Sequence, residues 1–424
     1  MTSLRPYQQR ALDDAHAHFA AGRRAVLVQL MVGLGKTRLA AHAAHQHLAE
    51  GGVGVLFLVP RRELRTQARA ALGDDPRIHV DTIQGFLARE DTPPVSLVVL
   101  DEARHYVSDE WSRFRERLPF ALLLGLDATP ARGDGRGLGA MFDALVAGIP
   151  IRDAIDQGYL CPVEVLRPPH ALEPGELAQD PVDAYMHHAY GTSAVIFAPS
   201  VELAQTYARA LDDRGVMAEA VWGEMPTYDR DDILEQYAAG EVRVLCNVSL
   251  LTEGWDAPRT ETVILARSFG TASTMIQAVG RGMRPHPGKR RCLVLDLRGV
   301  THDHGEPDEE RTWHLDGKAL RRKGEGPDVR FCPVCGAVVE SSACEECGHE
   351  GEMRKRPPRV LGLPIDRFAR QRAQSDDKRI AALARWLREC RAKGWKPGRA
   401  YHRYVAVYGG PPPHEVMAAA RRAT

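Results

Sequence analysis

The stretch Ala25-Val-Leu-Val-Gln-Leu-Met-Val-Gly33-Leu-Gly35-Lys36-Thr37 runs straight into an Ala/His/Leu-rich segment of helix-forming composition. An apolar, β-rich run that ends in glycines and opens a helix is the arrangement of a phosphate cradle. Glycines let main-chain N–H groups close around phosphate oxygens, and the helix N-terminus adds partial positive charge. The Lys36 ammonium would neutralise β- and γ-phosphates, and the Thr37 hydroxyl would hold Mg²⁺. Leu30 stands where the full pattern has a further glycine. An incidental turn is the alternative, but a strand before the glycines and a helix after them favour the phosphate reading.

Working outward, similar runs recur at Val53 to Val59, Val95 to Leu100 and Ala121 to Leu126, with helix-length segments between them. This is the βαβ rhythm of a parallel sheet. After a Pro/Gly-punctuated stretch from Leu160 to Pro181 the rhythm restarts at Ala194 to Ala198, Val242 to Cys246, Thr262 to Ala266 and Arg291 to Leu295. Two α/β lobes in tandem, 1–160 and 161–320, are the expected core. A small cysteine module at 328–350 and a helical extension at 351–424 follow them.

The chain has 424 residues, which suggests two or three domains and excludes a peptide or a lone recognition module, and at 44% hydrophobic and 26% charged its composition fits a globular protein and favours neither a disordered nor a membrane assignment. Lys plus Arg and Asp plus Glu both number 56, but the balance is uneven. Between Gly351 and Thr424 stand 18 basic and 6 acidic residues, a net +12 that the rest of the chain offsets with −12. A basic tail on an acidic body suggests an anionic partner, with a solvated helical face as the alternative. The N-terminus has no apolar leader and no stretch is long enough to span a membrane, so the expectation is a cytoplasmic protein.

Val98-Val99-Leu100 ends in Asp101-Glu102, two carboxylates at the C-terminal edge of a parallel strand, where α/β sheets bind ligands. Asp101 suits Mg²⁺ ligation and Glu102 suits polarising an attacking water. In the second lobe Gln277-x-x-Gly-Arg281-x-x-Arg284 puts two guanidiniums on one helix face, able to reach developing charge on a γ-phosphate if the lobes face each other. A basic surface helix is the bland alternative. His42, His45 and His47 lie on one helix without a Cys or carboxylate partner, and His302 and His304 in a polar loop, so none is expected to bind metal.

Cys332-x-x-Cys335 and Cys344-x-x-Cys347 are separated by eight residues, and each pair is followed by glycine. Four thiolates so placed suit a closed, structural Zn²⁺ site, with redox-active pairs as the alternative. Further on, Arg385, Trp386, Arg388, Arg391, Lys393, Trp395, Lys396, Arg399, Tyr401, Arg403 and Tyr404 interleave cations with aromatics. A single-strand surface does the same, with charges for phosphates and rings for stacking. The aromatics could instead be a helix face docked on lobe 2.

The motifs together resemble the superfamily 2 helicases. Leu4-Arg5-Pro-Tyr-Gln8 is similar to the adenine-sensing Q-motif. Val59-Pro60-Arg61-Arg62-Glu63-Leu64 is similar to motif Ia, and Thr82-Ile-Gln-Gly to a further strand-contacting motif. Asp101-Glu102-Ala-Arg104-His105 resembles the DEAD/DEAH box and Gly125-Leu-Asp127-Ala128-Thr129-Pro130 motif III. Thr252-Glu253-Gly254-Trp255-Asp256 resembles motif V, and Gln277 to Arg284 motif VI. The resemblance implies two RecA-like lobes and ATP with Mg²⁺ held by Arg5, Gln8, Gly33, Gly35, Lys36, Thr37, Asp101, Gly254 and Asp256. Catalysis would fall to Lys36, Asp101, Glu102, Gln277, Arg281 and Arg284, and strand contacts to Pro60, Arg61, Thr82 and Thr252, joined by Trp386, Trp395 and Arg399 of the tail. Two departures stand out: Arg104 where DEAH proteins have His, and Asp127 in place of the motif III hydroxyl residue that helps couple hydrolysis to strand movement.

The four-cysteine element after motif VI and the tail containing Gly394-Trp395-Lys396-Pro397-Gly398-Arg399 resemble the RadD-like bacterial DNA repair helicases and related phage proteins. That implies an ATP-dependent DNA helicase or translocase, bacterial or phage-encoded and nucleoid-associated. It would act on single-stranded or branched repair and replication intermediates, with repair or single-strand-binding proteins as partners. The alternative is an ATP-gated DNA clamp or recruitment platform with feeble hydrolysis.

Overall fold

The computed structural model describes residues 3–316 except 63, 107–108, 132–136, 174, 249–254 and 256, and then 330–331, 338–339, 359–367, 375–392, 400 and 420. In chain order the first lobe is α1 (Pro6–Ala20), β1 (Ala25–Gln29), α2 (Lys36–Ala49), β2 (Val55–Leu58), α3 (Leu64–Leu72), β3 (Ile78–Asp81), α4 (Ile83–Leu87), β4 (Leu97–Asp101), α5 (Asp109–Arg117), β5 (Leu122–Asp127), β6 (Ala144–Ala147) and α6 (Ile151–Asp156). Its six strands pair in parallel in the order β3-β2-β4-β5-β1-β6. The central strands read as unbroken apolar runs because helices cover both faces of the sheet. Val26, Leu27 and Val28 of β1 are fully buried, as are Val98, Val99 and Leu100 of β4.

The second lobe contains β7 (Val163–Arg167), β8 (Glu176–Leu177), α7 (Pro181–His188), β9 (Ala194–Phe197), α8 (Val201–Asp212), β10 (Ala218–Trp222), α9 (Thr227–Ala239), β11 (Val244–Val248), β12 (Thr262–Leu265), α10 (Ala272–Gly282), β13 (Cys292–Asp296) and α11 (Val300–His304). Its sheet runs β10-β11-β9-β12-β13-β7, with the two-residue strand Asp366–Arg367 at the edge. Here too the register is parallel, as in Val263↔Val195 and Val263↔Val294.

The lobes are packed together. One apolar core includes Leu30, Met31 and Leu34 of the loop after β1 along with Met275, Ile276 and Val279 of α10. Gly280 permits this closeness, since a Cβ there would sit 2.7 Å from Cβ of Val32. Burying each such side chain stabilises the contact by about 1.5–3 kcal/mol, and a larger residue at 280 would separate the surfaces.

The sequence reading misses β3, β6, β7 and β10, as well as β8 and the other two-residue strands. The segment with His302 and His304 is the short helix α11 and not a loop. Residues Arg367 to Thr424 form a second compact unit. Within it Leu383, Ala384, Trp386 and Cys390 of the helix Ser375–Ala392 share a small buried core with Ala400 and Ala420.

Candidate active site

The loop from Leu30 to Gly35 leaves the C-terminal end of β1 and turns into α2 through two glycines in the left-handed region, Gly33 (φ +86°) and Gly35 (φ +78°). Only glycine reaches these angles without strain. A Cβ on Gly35 would also lie 2.5 Å from Nε2 of Gln8. That amide donates to the carbonyls of Leu34 (2.9 Å) and Gly35 (3.2 Å), while Oε1 of Gln8 accepts from the Arg5 main chain at 2.9 Å. The Tyr7 hydroxyl adds a bond to Leu34 at 2.9 Å. Gln8, expected at adenine, is thus first of all a strut that fixes the loop. Beside it the Arg5 guanidinium lies 5.0 Å from the ring centre of Tyr159, which in turn packs 4.8 Å from Tyr7. Tyr159 carried no motif signal in the sequence.

Asp101 and Glu102 close β4 next to this loop. Lys36 Nζ is 3.1 Å from Glu102 Oε1, and Arg104 pairs with Oε2 of the same carboxylate. Burial alone would raise the Glu102 carboxyl, but Lys36 and Arg104 outweigh it and hold it well below the usual carboxylate range. Asp101 goes the other way: burial first, then the charge of Glu102, push it up to about 7 against the pull of Lys36. Among the described residues Glu102 is also the only non-glycine with positive φ (+52°), a conformation that costs on the order of 1 kcal/mol and tends to mark functional sites.

Arg104 and Asp127, the two departures from the family pattern, are partners. Arg104 NH1 lies 2.7 Å from Asp127 Oδ1, and the Arg104 main-chain N–H donates to Oδ2 at 2.9 Å. Asp127 also accepts from the Thr129 main chain at 2.9 Å. Thr129 then reaches the second lobe: its hydroxyl contacts Ser273 and accepts from Gln277 Nε2 at 3.2 Å. A chain of polar contacts therefore runs from Glu102 to α10. Gln277 is buried, and its Oε1 has no hydrogen-bond partner among the described residues.

The arginine pair stands against the glycine loop. A Cβ on Gly33 would meet Cγ of Arg284 at 3.0 Å, so Arg284 passes directly over that glycine. Arg281 and Arg284 both donate to the carbonyl of Trp255, at 2.5 and 3.4 Å. The structure thus sets Arg284 of the second lobe against the glycine loop that leads to Lys36 and links Gln277 through Thr129, Asp127 and Arg104 to Glu102, while Arg281 is held on the Trp255 carbonyl.

Thr37 and Asp101 are the residues expected to hold Mg²⁺. Oδ1 of Asp101 is buried without a hydrogen-bond partner, an orphaned carboxylate oxygen one strand away from the Thr37 helix start, so the donor set fits a hard cation. No group of three or more His, Cys, Asp or Glu among the described residues could hold a metal. The expected zinc ligands Cys332, Cys335, Cys344 and Cys347 lie outside the described residues, as do Thr252, Gly254, Asp256, Trp395 and Arg399.

Of the other strand-contacting candidates, Pro60 and Arg61 follow β2 at the C-terminal sheet edge, with Arg61 exposed. Thr82 is buried, its hydroxyl capping α4 by accepting from Gly85 N at 3.0 Å. Trp386 requires a correction: at 5% exposure it belongs to the core of the C-terminal unit and offers no open ring for stacking. The histidines are structural. His45 bonds the Leu72 carbonyl at 2.7 Å and His47 the Ser96 hydroxyl at 2.7 Å, while His302 bonds the Pro168 carbonyl at 2.8 Å.

Comparisons with known proteins agree with this geometry. The family model described as the type III restriction enzyme res subunit matches residues 1–75, and that of the helicase conserved C-terminal domain matches 178–286. A 51.5 kDa protein of a Lactococcus phage is 26% identical over 356 residues, covering 76% of this chain and 78% of that protein. IRC3 of Saccharomyces cerevisiae, described as an ATP-dependent helicase, is 26% identical over 356 residues, covering 70% of this chain but only 52% of its own. Among solved structures, the ATP-dependent type ISP restriction-modification enzyme LlaBIII bound to DNA superposes with a TM-score of 0.54 at 17% identity, covering 72% of this chain and 29% of that one.

Proposed function

Because the chain is a superfamily 2 helicase, an ATP hydrolase with Mg²⁺ as its cofactor ion, we propose that it uses the cleft between its lobes to drive movement on DNA during processing of repair or replication intermediates. The observation that carries this reading is that Arg284 of the second lobe lies over the glycine loop leading to Lys36, whose ammonium pairs with Glu102.

In this mechanism main-chain N–H groups after Gly33 and the Lys36 ammonium bind the β- and γ-phosphates. Phosphate oxygens draw Lys36 away from Glu102, which frees one carboxylate oxygen to orient the attacking water. Gln277, buried with its Oε1 unpartnered among the described residues, would offer that oxygen to the same water. Arg281 and Arg284 stabilise charge on the transferred phosphoryl group, the part of phosphoryl transfer where positioning and electrostatics matter most. Thr37 and Asp101 would hold Mg²⁺, which when bound would supply charge neutralisation to the phosphates. Gly254 and Asp256 complete the nucleotide contacts, and Arg5 and Gln8 read the adenine.

DNA as the track is supported by the +12 tail and by the DNA-bound neighbour. Pro60, Arg61, Thr82 and Thr252 would contact the strand from the lobes, Trp395 and Arg399 from the tail. The four cysteines hold a structural zinc in this reading, and the kinship is to the RadD-like proteins of bacteria and phages, acting in the cytoplasm near the nucleoid. No helix among the described residues is long and apolar enough to cross a membrane. One observation favours the second reading, an ATP-gated clamp with feeble turnover: Glu102 is held between two cations, Lys36 and Arg104. Steady-state ATPase assays with and without single-stranded DNA separate the two. The motor reading expects strong stimulation, and its absence together with tight DNA binding would favour the clamp.

A further inference from the structure

The arginine pair is only as well placed as the chain that carries it, and that chain leaves α10 at its C-terminal end. Helix α10 stops at Gly282, with Met283 as its cap, so Arg284 stands just beyond the last turn, and Pro285 and Pro287 exclude a continued helix. The chain then reverses. Gly288 adopts φ +82°, and the Lys289 main-chain N–H donates to the His286 carbonyl at 3.0 Å.

This turn carries the Lys289 side chain back under the arginines. Its ammonium donates to the main-chain carbonyl of Arg284 at 2.8 Å and to that of Pro258 at 3.0 Å. The thiol of Cys161 approaches the same Arg284 carbonyl at 3.7 Å. Both partners of Lys289 are carbonyls and neither is a carboxylate. A cation here meets the negative end of the α10 dipole, and burial lowers its pKa, which marks an ammonium taken substantially out of water. Burying a charge against two neutral acceptors is costly, so a purely structural tie would be served as well by a neutral donor. The site that benefits is the guanidinium pair: Pro258 directly follows the segment whose Trp255 carbonyl receives Arg281 and Arg284.

We propose that Lys289 is a positioning residue for phosphoryl transfer, pinning the main chain at Arg284 to the segment at Pro258 so that the Arg284 guanidinium is held over the glycine loop. The inference rests on the reading of Arg284 as a charge-stabilising group. Lys289 touches neither nucleotide nor water. Its loss lets Arg284 shift, and a misplacement of about 1 Å can cost on the order of 10²-fold in rate.

The test is a double-mutant cycle in the full-length protein, comparing Lys289→Met, Arg284→Ala and the double variant for kcat, ATP KM and melting temperature. Lys289→Met should lower kcat at least about tenfold with ATP KM within about twofold. It should cost nothing further in the Arg284→Ala background, and Lys289→Arg should restore part of the rate. Wild-type kcat in Lys289→Met overturns the proposal, as does a loss that multiplies with that of Arg284→Ala. Normal hydrolysis by Arg284→Ala would instead remove the assigned role of Arg284. The positional claim is then decided by amide hydrogen exchange at 280–288, which Lys289→Met must accelerate and whose unchanged protection would overturn it.

Discussion

Removing Arg104 should destabilise the first lobe far more than an ordinary surface change, because it strands a carboxylate with no access to water. Asp127 has a fully buried side chain and that of Arg104 is 8% exposed, with their atoms 2.7 Å apart. Breaking such a pair from one side costs about 3–5 kcal/mol, whereas replacing both members can be neutral. At roughly 2–4 °C per kcal/mol for a lobe of this size, Arg104→Met alone should lower the first melting transition by about 10 °C, whereas Asp127→Leu alone should lower it less, because the guanidinium keeps its pair with Glu102. The combined Arg104→His, Asp127→Ser variant should melt within about 3 °C of wild type, since serine still accepts from the main-chain N–H groups of Arg104 and Thr129 and the neutral imidazole leaves no stranded charge. Differential scanning calorimetry at pH 8, where histidine is neutral, reads all of these. A single Arg104→Met variant with a wild-type transition, or a paired variant as unstable as the two single losses added together, would refute the coupling.

Glu102→Gln should bind ATP as wild type does yet lose turnover, whereas Lys36→Ala should weaken both, as fluorescent-nucleotide titration and phosphate release would report. Asp101 titrates near 7 because burial and Glu102 raise it, so below that value Mg²⁺ must displace a proton. Mg²⁺ affinity should therefore tighten about fivefold from pH 6 to pH 7 and about a further twofold by pH 8 before levelling off, and calorimetry of Asp101→Asn should show weak, pH-independent binding. Purified protein should contain one zinc per chain by elemental analysis, and Cys335→Ser should lose it with both lobes still folded.

The sequence exposes some of this architecture plainly and hides the rest for physical reasons. β1, β4, β9 and β12 lie inside their sheets, are buried on both faces, and so spell continuous apolar runs that anyone can read. β3 and β10 are edge strands and β6 and β7 lie at or next to the margin. Ile78-His-Val-Asp and Val163-Glu-Val-Leu-Arg mix polar with apolar residues because one side is only half covered. The ATP-site residues were legible because each motif has fixed spacing along one strand end or one helix face. Tyr159 and Lys289 were not, since each acts through a contact with a distant segment. Arg104 and Asp127 read as two separate anomalies along the chain and become one ion pair only when β4 and β5 lie side by side. Trp386 shows the opposite error: cations interleaved with aromatics look like a stacking surface, but a helix sends one ring inward while the neighbouring charges point outward.

The account turns on coupling between nucleotide hydrolysis and a DNA track, so the decisive measurement is ATP turnover by the full-length protein across a titration of single-stranded DNA, at fixed salt and saturating Mg²⁺. The predicted result is a kcat that rises with DNA to a plateau in the wild type and stays at background in Glu102→Gln at every DNA concentration. Turnover that is indifferent to DNA, or a wild-type plateau in Glu102→Gln, would contradict it.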